Sequence, residues 1–192
     1  MISYIPDPHT VNLGAHSIVR TATLVVAASN ASEKSKAQID YVCDGTADDV
    51  EIQAAINALP AGGGKVLLSE GTFNVAGVPA ANPGYNGMIC TNKDNVTIEG
   101  CGWGTLIRIA NNYNLGVGGV FSTREHGVAG YDRCSFRNFR LDGNKGNNTN
   151  VQSGVFIRSS YCTVENLYVS DFRNHGLHCY DNHHRCIIKN NY

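Results

Sequence analysis

From residue 64 onward the chain alternates short apolar runs of three to five residues with Gly and Asn turns, and these runs fall into rows. One row aligns Gly87-Met88-Ile89-Cys90-Thr91, Gly119-Val120-Phe121-Ser122-Thr123, Gly154-Val155-Phe156-Ile157-Arg158 and Gly176-Leu177-His178-Cys179-Tyr180, its glycines 32, 35 and 22 residues apart. A second aligns Val66-x-Leu68, Val96-x-Ile98, Cys134-x-Phe136, Cys162-x-Val164 and Cys186-x-Ile188, with Glu70, Gly100, Asn138, Asn166 and Asn190 two residues beyond. A weaker third row takes Phe73-x-Val75, Leu106 with Ile109, Phe139-x-Leu141 and Leu167-x-Val169. Short strands recurring in fixed order with irregular repeat lengths predict the coils of a parallel β-solenoid, in which strands stack and insertions go to the loops. A propeller needs four strands per blade and a steadier period, and an immunoglobulin-like sandwich gives no reason for aligned Asn. Aligned Asn predicts a turn ladder between successive coils.

Before the repeats, residues 21–29 read as a strand and Ser29 to Lys36 as a polar loop. Residues 48–59 read as the one convincing helix, because Ile52, Ala55, Ile56 and Leu59 fall at i, i+3, i+4 and i+7. Asp48 is placed as its N-cap with Glu51 completing a near capping box, and Pro60 with Gly62-Gly63-Gly64 ends it. Residues 1–20 read as an arm or linker, and 21–192 as one β-helix domain. The last stretch, Cys186-Ile187-Ile188-Lys189-Asn190-Asn191-Tyr192, reads as the start of a further coil, so the domain is expected to be open, covered by a subunit or truncated there.

Composition narrows the class. Only 16% of the 192 residues are charged, Gly and Asn number 21 each, and the net charge is −1. This excludes a helix bundle or coiled coil and a disordered chain. It also leaves no basic footprint for nucleic acid. No apolar run reaches the ~18 residues of a membrane span, and residues 1–8 lack a signal-peptide pattern. The seven cysteines show no CxxC and no metal spacing. The rows place Cys90, Cys134, Cys162, Cys179 and Cys186 inward as free thiols, small hydrophobes suited to a narrow interior; Cys43 and Cys101 fall outside the rows.

Asp44-Gly45-Thr46-Ala47-Asp48-Asp49, Gln53-Ala54-Ala55-Ile56, Gly63-Gly64-Lys65-Val66 and Glu70-Gly71-Thr72-Phe73 resemble the N-terminal signature of the pectate lyase superfamily. Val50, Ser69 and Phe73 depart from it where the family favours Thr, Pro and Tyr. The resemblance implies an all-β, right-handed parallel β-helix whose N-terminal end is capped by the helix from Asp48. The superfamily holds glycan lyases and hydrolases, phage tail-spike and tail-fibre domains, and glycan-binding surface proteins, so activity must be argued from site residues.

With the first row in this register, Ile89, Phe121, Phe156 and His178 face outward beside Thr91, Thr123, Arg158 and Tyr180. Phe121, Phe156, Arg158, His178 and Tyr180 are therefore the candidate substrate-binding residues, since sugar rings stack their C–H faces on aromatic rings. The bland readings are loop cover or a subunit interface. Asp142, Asp171 and Asp181 are the nearby acids. Asp142 and Asp171, in corresponding turns of adjacent coils, are the candidate carboxylate pair for hydrolysis, although Asp in a turn more often caps backbone amides. A lyase would need Ca2+ on clustered acids beside a base such as Arg158, and no such cluster is evident, so no cofactor is expected outside that case. His175, His178, His183 and His184 are dense, yet strand alternation does not converge them on a metal. The loop Asn144–Asn150 is an unconstrained surface loop or a groove wall.

The expected function is glycan recognition by a tail-fibre- or tail-spike-like protein, at a virion or outside the cell. The partner is a polysaccharide or cell-surface glycan, and a homo-oligomer, a trimer among the options, is expected; neither nucleic acid nor membrane insertion is. The competing classes are a secreted polysaccharide hydrolase or lyase and a purely structural assembly protein.

Overall fold

The structure is a computed structural model that describes residues 22–37, 39–77, 87–113, 118–124, 129–149, 153–180 and 185–192. The arm at 1–20, Asp181, His183 and His184 lie outside the described residues. In chain order the elements are β1 (Thr23–Ala27), α1 (Glu33–Lys36), β2 (Tyr41–Val42), α2 (Asp49–Ala58), β3 (Gly64–Leu68), β4 (Gly71–Val75), β5 (Gly87–Cys90), β6 (Val96–Glu99), β7 (Thr105–Ile109), β8 (Gly119–Ser122), β9 (Ser135–Arg137), β10 (Arg140–Asp142), β11 (Val155–Ile157), β12 (Thr163–Glu165), β13 (Tyr168–Ser170), β14 (Leu177–Cys179) and β15 (Ile187–Lys189).

The strands form three parallel sheets. The first runs β15-β12-β9-β6-β3-β1-β2, the second β13-β10-β7-β4 and the third β14-β11-β8-β5. Each strand pairs with the one from the next coil. Alternation sends one row of each sheet inward: Val66, Ile98, Phe136 and Val164 from the first; Phe73, Ile107 and Leu141 from the second; Ile89, Phe121 and Val155 from the third. These side chains are fully buried and form one continuous core.

The register differs from the sequence rows at three places. Val66 pairs with Ile98 rather than Val96, a two-residue shift that leaves its facing unchanged. In β7 the inward positions are Thr105, Ile107 and Ile109, so Leu106 faces out. Thr105 is tolerated inside because its hydroxyl donates to the Ser69 carbonyl (2.8 Å) and accepts from the Cys101 amide (2.8 Å). The third is at β8 against β11, where Phe121 pairs with Val155 and is buried.

The corner between first and second sheets is made by Asn138 and Asn166, with Asn190 in the same setting. All three are left-handed (φ 61°, 55° and 53°), a conformation costly for most L-residues but tolerated by Asn. One Asn–Asn rung of the expected ladder is present: Asn166 Nδ2 donates to Asn138 Oδ1 (3.2 Å), and Asn138 Nδ2 continues to Glu99 Oε1 (3.1 Å) rather than to another Asn. Outside this sheet Glu99, Arg137, Glu165 and Lys189 stand in register with alternating charge, and Arg137 contacts Glu99 at 3.0 Å and Glu165 at 3.8 Å. A face built this way is a solvated ion ladder and no aromatic groove.

Helix α2 buries Ile52, Ala55 and Ile56 against the core, as its periodicity predicts. Its Gln53 side chain exchanges two hydrogen bonds with the backbone of Cys90 (2.8 and 3.1 Å), occupying the free edge of β5. Asp48 does not cap the helix through its side chain. Its carboxylate turns back to accept from the Gly45 and Asn74 amides (2.8 and 2.7 Å), tying the Asp44–Asp49 turn to β4. The stretch read as a polar loop contains α1, capped by Ser32.

Glu70 anchors that short helix. Its carboxylate accepts from the Ser32 amide (3.0 Å) and the Ser35 hydroxyl (2.8 Å), which holds its pKa at about 2 against an ordinary 4.5. A carboxyl depressed on folding adds stability above its unfolded pKa and loses it as pH falls toward the folded value. Glu70→Gln is therefore expected to reduce stability near neutrality and to remove part of the acid-induced loss between about pH 4.5 and 2, read from urea midpoints across that range.

All seven cysteines are thiols rather than disulfides. Cys134 and Cys162 stack fully buried in one row; the Cys134 sulfur and burial together push the Cys162 thiol up. Cys186 continues that row but is only half-buried, and Cys179 is exposed, both departing from the expected burial. Cys90 is buried on the outward parity of β5, its register partner being Ser122. Thiol labelling of the native protein should modify Cys101 and Cys179 rapidly and Cys134 and Cys162 only on unfolding; prompt modification of Cys162 would contradict the packing.

Candidate functional site

Strands β11 and β14 lie side by side, with Phe156 paired to His178 and Ile157 to Cys179. Two-residue alternation then places Phe156 and Arg158 on one outward line, and His178 and Tyr180 on the next. The four form a two-by-two array. Phe156 and His178 are 4.9 Å apart between ring centroids, edge to face. The Arg158 guanidinium carbon stands 4.4 Å from the Tyr180 ring centre and 5.3 Å from that of Phe156, a cation–π arrangement. His175, in the turn before β14, extends the array at 4.6 Å from His178.

The Arg158 backbone is fixed from beneath. Its amide donates to the buried Thr123 hydroxyl (2.9 Å), which also accepts from Ser159 (2.7 Å). Gly130 passes so close that an added Cβ would lie 1.9 Å from the Arg158 carbonyl oxygen. Phe156 is 6% exposed and Arg158 8%, whereas Tyr180 is 43% exposed. The array therefore has a preorganised floor of Phe156 and Arg158 and an open edge of Tyr180 and His175.

Phe121 does not belong to it. The structure pairs Phe121 with Val155 and Ser122 with Phe156, one residue away from the row drawn on the shared Gly-Val-Phe. A one-residue slip reverses every side chain. Phe121 is fully buried, 5.3 Å from Phe136 and 5.6 Å from Phe139. Ser122 takes the outward position instead.

Asp142 and Asp171 do not occupy equivalent positions either. Asp142 pairs with Ser170, and Asp171 follows it in a left-handed corner at φ 56°. Both lie on the second sheet's coil segment rather than on β11 or β14. Asp142 is bound by Arg108 (3.3 Å) and caps the Asn144 amide (2.7 Å); Asp171 is exposed beside Lys145 (3.4 Å). Each has the turn role of an ordinary Asp. The described part of the 144–150 loop is anchored, since Asn144 and Asn148 are buried and Arg173 donates to the carbonyls of Lys145 and Asn148.

The array offers guanidinium, imidazole and phenol groups and no described carboxylate. These groups can donate hydrogen bonds to hydroxyl or carboxylate oxygens, and the imidazole and phenol can pass a proton. Two groupings escaped the sequence reading. Trp103, in a 3-10 turn at Gly102–Gly104, stands 5.7 Å from Tyr168 and 6.2 Å from Tyr192, all three exposed. Cys43, Asp48 and Glu51 gather near the start of α2. Neither lies within one row, so periodicity carried no signal for them.

Three parallel sheets, stacked inward rows and single Asn corners define a pectate lyase-like parallel β-helix. No protein-family model and no curated protein matches the sequence. Among solved structures the chain is similar to the A-module of Azotobacter vinelandii mannuronan C-5 epimerase AlgE6, with a TM-score of 0.62 and 26% identity over 77% of this chain and 42% of that one. The AlgE4 A-module gives 0.62 and 25%, over 77% and 47%. ORF18 of Geobacillus virus E2 gives 0.50 and 25%, over 67% and 23%. The chain thus spans less than half the length of the epimerase modules it matches. Among the described residues no helix is long and apolar enough to cross a membrane.

Proposed function

We propose that this chain is a glycan-recognising β-helix that lays a polysaccharide across the outer face of β11 and β14. The observation that carries the proposal is the array itself: Arg158 held against Phe156 and Tyr180, with His178 and His175 alongside. A sugar ring stacks its apolar face on Tyr180 while Arg158 and the imidazoles serve its oxygens. In this reading α2 closes the N-terminal end of the coil stack, consistent with Gln53 on the β5 edge. The likeness to a phage protein favours a virion setting.

A second reading, a polysaccharide-modifying enzyme, is favoured by the likeness to mannuronan C-5 epimerase modules together with imidazole and phenol groups on one face. A glycan array with wild type and Tyr180→Ala tests binding. Proton NMR of every glycan hit, and of mannuronan, after incubation tests turnover. Binding lost in Tyr180→Ala without change in the glycan supports recognition; changed ring stereochemistry or cleavage supports the enzyme. Equal binding by both proteins overturns the site.

A further inference from the structure

Outside the array, the chemistry-bearing side chains with the least explained surroundings are Cys43, Asp48 and Glu51. Cys43 follows β2, and Asp48 and Glu51 flank the first turn of α2. Their ligand atoms all lie within 4.8 Å of one another. Cys43 is 2% exposed and Asp48 0%. The Cys43 sulfur has only a 3.9 Å contact with the Asp48 carbonyl, and Glu51 Oε2 is buried with no hydrogen-bond partner. Asp44 and Asp49 crowd the same turn. Among the described residues no ion pair reaches any of these four carboxylates, although eight ion pairs occur elsewhere.

Burying several acidic groups without a counter-charge is costly, and such groups are normally paired, protonated or bound to a metal. The neighbouring Asp44 and Asp49 are not part of the converging group. Asp49 accepts from the Ala76 and Gly77 amides (2.8 and 3.1 Å) and Asp44 from the Thr46 amide (2.7 Å), so both point elsewhere. Asp48 uses one lone pair per oxygen on Gly45 and Asn74 and keeps the others.

We infer that Cys43, Asp48 and Glu51 form a binding site for a thiophilic divalent cation of the zinc type. One sulfur and two carboxylate oxygens are a donor set for Zn2+ or Cd2+ and a poor one for Ca2+ or Mg2+. The half-buried Glu51 is the arm that closes on the ion, and water completes the fourth position. A cation here ties β2 to the first turn of α2, so its role is structural.

The test uses the whole chain, stripped with a chelator. Cd2+ should produce a thiolate-to-metal charge-transfer band at one equivalent, and Zn2+ at a hundredfold excess over its Kd should raise the unfolding midpoint by about 5–10 °C. Cys43→Ser should abolish the band, whereas a Cys179→Ser/Cys186→Ser double variant should keep it. Should Cys43→Ser not fold, Glu51→Gln, which preserves shape, decides by weakening Cd2+ at least tenfold. Absence of the band in wild type, an undiminished band in Cys43→Ser, or unchanged Cd2+ affinity in Glu51→Gln overturns the inference; an undiminished band would assign the metal to the other thiols.

Discussion

Phe121→Ala is expected to destabilise the protein by about 3–5 kcal/mol, the usual cost of emptying a closed aromatic position. Phe121 fills the interior between Phe136 and Phe139 and has no exposed surface into which the coil can relax. Phe156→Ala is the control. Its ring is covered by the side chains of Arg158, His178 and Tyr180, which can settle into the vacated space, and the cost should be about 1–2 kcal/mol. Denaturant midpoints for the pair read the register directly. Similar losses for both would mean that Phe121 shares the outer face.

Arg158→Ala is expected to lower affinity for the recognised glycan on the order of tenfold to a hundredfold, equivalent to about 1.4–2.7 kcal/mol. The loss has two sources: the donors that serve sugar oxygens, and the cation–π contact that holds Tyr180 upright (4.4 Å). Arg158→Lys separates them. A lysine keeps the charge but loses the planar fork, so an intermediate affinity is expected. Calorimetry on the glycan found by the array measures all three proteins, and equal affinities would remove Arg158 from the site.

The rows at Val66, Phe136 and Val164 were legible because inward apolar and outward polar residues alternate there, the outside being an ion ladder. The same rule failed in β8, where all four residues are buried. With no polar face to break the symmetry, the repeated Gly-Val-Phe of β8 and β11 invited an alignment on glycine, whereas the actual pairing keeps Phe121 inside and puts Gly154 opposite Val120. Gly154 has its own reason to be small: a Cβ there would meet the Gly176 carbonyl at 2.3 Å. Helix α2 is visible from its spacing, and Asp48 does stand at its N-cap, but the capping bond from its side chain is not made, because the Asn74 amide that claims its carboxylate is 26 residues away. For the site, Phe156, Arg158, His178 and Tyr180 could be found because they share one alternating face. His175 joins them through a turn, and Trp103 meets Tyr168 across coils, contacts that only the folded chain creates.

A glycan bound on the outer face of β11 and β14 must perturb the side chains that form that face. The most direct measurement is a titration of isotope-labelled protein with the oligosaccharide selected by the array, followed by NMR at assigned aromatic and arginine side chains. This binding mode predicts that the largest shifts fall on Phe156, Arg158, His178 and Tyr180, with Trp103 and Tyr168 unmoved. Shifts centred on Trp103, Tyr168 and Tyr192, with the Arg158 and Tyr180 signals unchanged, would contradict it.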